Sequence, residues 1–88
     1  MKPVYTLENW AIIYAVDSPY TAPEAAVPCL VGDRNGLYVK TSRLLGKSGN
    51  YVVTQNSLYK LGEPDPEYEA AYPGARGRMF TSLQNVEV

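Results

Sequence analysis

From Trp10 to Val16 the chain reads Trp-Ala-Ile-Ile-Tyr-Ala-Val, an uncharged run of aromatic and β-branched residues closed by Asp17-Ser18-Pro19. This pattern predicts a strand with a firm stop. Alternation puts Trp10, Ile12, Tyr14 and Val16 on one face and Ala11, Ile13 and Ala15 on the other, so both faces can be covered and the strand suits a central position. Next, Thr21 stands three residues before Glu24, with Pro19 and Pro23 where an early helical turn accepts proline. A turn or short helix is expected over residues 18–26. Pro28 limits it, and Cys29-Leu30-Val31 forms a second strand ending at Gly32.

Asn35-Gly36 is a favoured hairpin loop because both residues tolerate positive φ, and Leu37-Tyr38-Val39-Lys40-Thr41 alternates after it. Gly46-Lys47-Ser48-Gly49 is a second turn signal, predicting that strands near residues 37–45 and 50–54 pair as an antiparallel hairpin. Tyr-Val-x-Thr occurs at Tyr38 to Thr41 and again at Tyr51 to Thr54, which fits paired strands better than a solenoid repeat. Leu58-Tyr59-Lys60-Leu61 reads as a further strand before Gly62.

Past Gly62 the grammar changes. Asp65 suits a helix N-cap, with Pro66 at the first position, Glu67 and Glu69 near the positive end, and Tyr72-Pro73-Gly74 as the stop. Ala75 to Arg78 reads as loop, Met79 to Leu83 as a returning edge strand, and residues 84–88 as a fraying end. The expected fold class is mainly β, a β-rich α+β domain: a small curled antiparallel sheet or barrel of about five strands with one or two short helical turns. No segment has the helical periodicity that a parallel α/β fold needs for its crossovers.

Eighty-eight residues, 45% of them apolar, fit one small domain over residues 1–88, and a partner or a second copy would add stability to so small a core. Histidine is absent and Cys29 is the one cysteine, so no Ser-His-Asp or Cys-His site, no imidazole ligation and no thiolate zinc cluster can be built from this chain. The expectation is a protein that is not an enzyme and needs no cofactor or metal. Glu63, Asp65, Glu67 and Glu69 match no calcium-loop spacing and suit a solvated capping segment. Cys29, in the apolar run Val27 to Val31, reads as a buried small hydrophobe. The longest apolar run, Trp10 to Val16, is too short to span a bilayer, and a cytoplasmic location with no membrane partner is the default expectation.

Charge is segregated along the chain. Residues 34–60 hold Arg34, Lys40, Arg43, Lys47 and Lys60 with no acid, while the flanking segments are acidic and the total is −1. A basic meander bearing Tyr38, Tyr51 and Tyr59 could hold phosphates and stack bases, making Arg34, Lys40, Arg43 and Lys47 an alternative basic surface for nucleic acid. The net charge counts against that use. Tyrosine is abundant, eight against one Trp and one Phe, and its broad ring with a polar tip suits surfaces that partners cover. Tyr20, Tyr68 and Tyr72 fall in predicted turns near Glu24, Glu67 and Glu69. Together these six residues are the candidate partner-binding set, an aromatic patch with an acidic rim suited to a basic partner, including the nucleic-acid-binding surface of a host protein.

Trp10, the Pro19-Tyr20 and Pro23-Glu24 pairs, the Gly32 turn, Thr41-Ser42-Arg43, Thr54 and Ser57 to Gly62 form a pattern that resembles short uncharacterised β-rich proteins of proteobacteria and their phages. The resemblance covers roughly residues 8 to 68 and carries turn and strand grammar rather than chemistry, so it brings no site with it. It implies a habitat, that of small accessory proteins of phages and mobile elements, among which anti-CRISPR inhibitors act by covering a surface of a host defence protein. Two function classes stay open: a protein-binding accessory protein or inhibitor, and a small nucleic-acid-binding barrel. A structural virion component is a third.

Overall fold

The structure, a computed structural model, describes residues 2–15 and 26–87. The turn or short helix expected through residues 18–26 lies, but for Ala26, outside them, as do Tyr20 and Glu24. Five strands, β1 (Val4–Ala15), β2 (Val27–Arg34), β3 (Leu37–Ser48), β4 (Tyr51–Thr54) and β5 (Leu58–Leu61), close into a barrel and are followed by helices α1 (Pro66–Ala71) and α2 (Ala75–Ser82). The protein is mainly β, as the alternation predicts. Four seams are antiparallel, and β1 closes the barrel by lying parallel to β5, with Val4 opposite Leu58 and Leu7 opposite Leu61.

The two long strands each serve two neighbours: β1 pairs with β5 through its first half and with β2 through its second, and β3 passes from β2 to β4. A bulge marks each handover. In β1 it falls between Glu8 and Ala11, where Asn9 has a φ of 51° and its side-chain amide donates to Asp33 Oδ2 at 3.1 Å. The extra residue shifts the inward parity, so Leu7 and Trp10, three apart, are both fully buried. In β3 the bulge between Lys40 and Arg43 leaves the Leu30 N–H without a strand partner, and the buried Thr41 hydroxyl accepts from it at 3.0 Å. Such substitution keeps a buried donor paired.

The Asn35-Gly36 hairpin is as the sequence predicts, with φ of 54° and 82° joining β2 to β3. The expected pairing of β3 with β4 also forms, but through Leu44–Ser48, and its turn is Gly49-Asn50. Gly46 is inside the strand for a different reason: a Cβ there would lie 2.4 Å from the Gln84 carbonyl oxygen. Residues 84–86, expected to fray, run beside β3 instead, Lys47 N–H donating to Gln84 O and Val86 N–H to Lys47 O, each at 2.9 Å.

The expected edge strand at residues 79–83, with loop before it, is instead α2. Its Ala75 and Met79, one helical turn apart, join Leu7, Trp10, Leu30, Leu44, Val52, Tyr59 and Leu61 in the core. Tertiary burial overrides the strand preference of Phe80-Thr81 and the poor helix propensity of Gly77.

Candidate interaction surface

Three facts hold α1 against the barrel. Asp65 Oδ1 accepts from the backbone N–H of Glu67 at 2.9 Å and of Tyr68 at 3.1 Å, with Pro66 in the first turn, which is the cap read from the sequence. The Asp65 N–H donates to Trp10 O at 2.8 Å, and the Trp10 indole N–H donates to Gly62 O at 2.9 Å. These bonds fix the start of α1 beside the buried Trp10.

The result is a run of rings. Tyr68 lies with its centroid 5.9 Å from Trp10 and 5.1 Å from Tyr72, tilted 57° and 44° respectively. Such offset, tilted pairs suit the ring quadrupole and add to area burial. Burial is the main cause that pushes the Tyr68 phenol above its usual value. A backbone hydrogen bond with Ile12 acts the other way, and the nearby phenols of Tyr72 and Tyr14 raise it further. Tyr14 is 73% exposed and Tyr72 56%, so the run leads from core to solvent. Ile12, Tyr68, Tyr72, Ala75, Arg78 and Met79 surround a shallow groove of about 300 Å³. Trp10, Ile12 and Tyr14 thus share a face as predicted, but that face passes from the barrel interior to the groove and then to solvent.

The candidate acids take separate places. Glu67 is exposed on the first turn of α1. Glu69 is half-buried, its Oε1 accepting from the Gly74 N–H at 2.9 Å, and it faces a different depression with Glu63 and Arg76. Among the described residues the charged side chain at the tyrosine groove is Arg78, in α2 where the sequence predicts a loop. Tyr14, assigned to a strand face, was missed for the same set. Its signal is position: it stands one residue before the last residue of β1, Ala15, in the run that Asp17-Ser18-Pro19 closes in the sequence.

The basic set divides. Arg34 stacks 4.3 Å above the Tyr5 ring and donates to the Tyr59 hydroxyl at 3.0 Å, while the Lys47 ammonium donates to the Phe80 carbonyl. Lys40 and Arg43 are exposed on β3. Of the tyrosines placed on this meander, Tyr38 is 70% exposed, Tyr51 39% and Tyr59 only 2%. Among the described residues no three His, Cys, Asp or Glu side chains gather as metal ligands would. In the same residues no helix is long and apolar enough to cross a membrane. Comparison of the chain with known protein families, curated proteins and solved structures finds no match.

Proposed function

We propose that this chain is a non-enzymatic binding domain that docks a protein partner through Tyr14, Tyr68 and Tyr72. The observation that carries the reading is the continuous run from buried Trp10 through half-buried Tyr68 to exposed Tyr72, with Tyr14 beside it. Rings held from beneath lose little rotamer freedom when covered, which is why tyrosine and tryptophan dominate binding hot spots. Arg78 at the groove provides a charged contact beside them, and Glu67 remains available to a basic rim on the partner. The narrower reading, an accessory protein of a phage or mobile element that inhibits a host defence protein in the manner of anti-CRISPR inhibitors, rests on the resemblance of residues 8 to 68 alone.

The nucleic-acid reading has less support, because two of its four cations, Arg34 and Lys47, are engaged inside the fold. The test is a paired one. A partner captured by the wild-type chain is titrated against Tyr14→Ala/Tyr72→Ala and against Lys40→Glu/Arg43→Glu, all four positions being exposed. The tyrosine variant is expected to lose about 2 kcal/mol or more of binding. Loss confined to the charge-reversed variant, with steep salt dependence, would transfer the site to β3.

A further inference from the structure

Helix α2 borders a groove on each of two flanks, besides the depression that its Arg76 and Gly77 share with Glu63 and Glu69. Arg78 and Ser82, one turn apart, face the tyrosine groove, whereas Arg76 and Phe80, also one turn apart, face a cleft of about 320 Å³ shared with Asn50, Lys60 and Leu61. From this second cleft we infer that the domain holds a binding site for a phosphate monoester carried on a small aromatic body, independent of the tyrosine surface.

The charge comes first. Lys60 and Arg76 line the cleft, and among the described residues no carboxylate lines it with them. Arg76 is held in place, since its Nη2 donates to the carbonyl oxygens of Leu61, at 3.2 Å, and of Gly62. An anchored guanidinium retains its other N–H groups and its full charge, and it has already lost the rotamer freedom that a free arginine would lose on binding. Lys60 is exposed on β5, next to the Leu61 carbonyl to which Arg76 is tied. One fixed fork and one mobile point charge at the same cleft match a phosphate monoester, which carries close to two charges at neutral pH and offers three acceptor oxygens.

The remaining walls select the body. Phe80 is half-buried, and Leu61 beside it is 8% exposed, so an apolar wall adjoins the cations. Asn50, next to the Gly49 turn, brings an amide that both donates and accepts. A space of this size is at the lower end for ligand pockets and takes one ring with its phosphate, not a polymer. On its other side Arg76 meets Glu63 and Glu69 in a separate depression, and those acids oppose the bound anion.

The test is an amide-shift titration of the whole chain with three probes: adenosine monophosphate, phenyl phosphate and inorganic phosphate. Shifts centred on Asn50, Lys60, Arg76 and Phe80 are expected with both aromatic phosphates, and weaker ones with inorganic phosphate. Lys60→Gln, which removes an exposed charge and leaves the fold intact, should weaken binding about tenfold. Glu63→Gln should tighten it. A preference for the nucleotide over phenyl phosphate would identify the body as a nucleoside, and the reverse would identify a plain ring. The inference is overturned if no probe shifts these four residues, if Lys60→Gln leaves affinity unchanged, or if inorganic phosphate binds as well as the ring-bearing probes.

Discussion

The tyrosine groove and the basic face of β3 look equally promising as strings of residue types, and they differ in what their side chains meet. At the groove, residues from β1 and α1 converge so that each outer ring is supported by the one beneath it, down to Trp10. Along the β2–β3 hairpin and beyond, the four cations diverge: Arg34 turns onto Tyr5 and Tyr59, Lys47 onto Phe80, and only Lys40 and Arg43 face solvent. A cation near a free carbonyl, hydroxyl or ring face is drawn into the fold, and its charge stops being surface. Residue type advertises a chemistry, and the neighbours decide whether that chemistry is available.

The sharpest way to break the comparison is to remove the support under the rings. Trp10→Ala deletes a fully buried side chain at the base of the run and should cost about 3–5 kcal/mol in denaturant unfolding. The surface should be lost with it, so that a partner of the tyrosine groove no longer binds even where the variant remains folded. Unchanged stability would mean that the run is not anchored in the core.

A smaller effect separates internal from external cations. Arg34→Ala removes a stacked guanidinium and its bond to Tyr59, and should lower stability by about 1–2 kcal/mol. Arg43→Ala, exposed on β3, should change it by less than about 0.5 kcal/mol. Lysine at position 34 should restore little, because an ammonium does not stack as a planar fork does. Equal losses at the two positions would erase the distinction between them.

The smallest effect is read by pH. Tyr68 is held above its ordinary phenol value, chiefly by burial, so the folded state keeps its proton at pH values where the unfolded chain begins to release it. Its contribution is therefore complete below the unfolded value, near 10 as a rough figure, and falls away as pH rises through the folded one. Tyr68→Phe should flatten that alkaline decline in thermal midpoint while leaving the neutral-pH range little changed. A decline of the same steepness in the variant would assign it to other phenols.

Much of the wall was legible because its signals are local. Asn35-Gly36 needs only two residues of positive φ, and Asp65-Pro66 declares a helix start by itself. What the sequence hid depends on distant partners. The first half of β1 passed unread because Thr6, Glu8 and Asn9 interrupt the apolar pattern, yet this half closes the barrel on β5. Gly46 resembles a turn residue until residues 84–86 are seen crossing it. For α2, the one-turn spacing of Ala75 and Met79 was the available sign, obscured by Gly77 and the strand-forming Phe80-Thr81. In the candidate site, Tyr68 and Tyr72 were found together, whereas joining them to Tyr14 required the contact between β1 and α1.

The crossing at Gly46 also bears on how this protein avoids its own kind. A strand margin with free amide and carbonyl groups is a template on which a second chain can build, and closing a sheet into a barrel removes such margins only where the strands overlap. Beside Lys47 the protection is supplied by residues 84–86, which occupy both the N–H and the C=O of that residue. Without this short stretch the N–H and C=O of Lys47 would stand as an unpaired strand margin, so residues outside the barrel complete the pairing that the barrel strands leave open there.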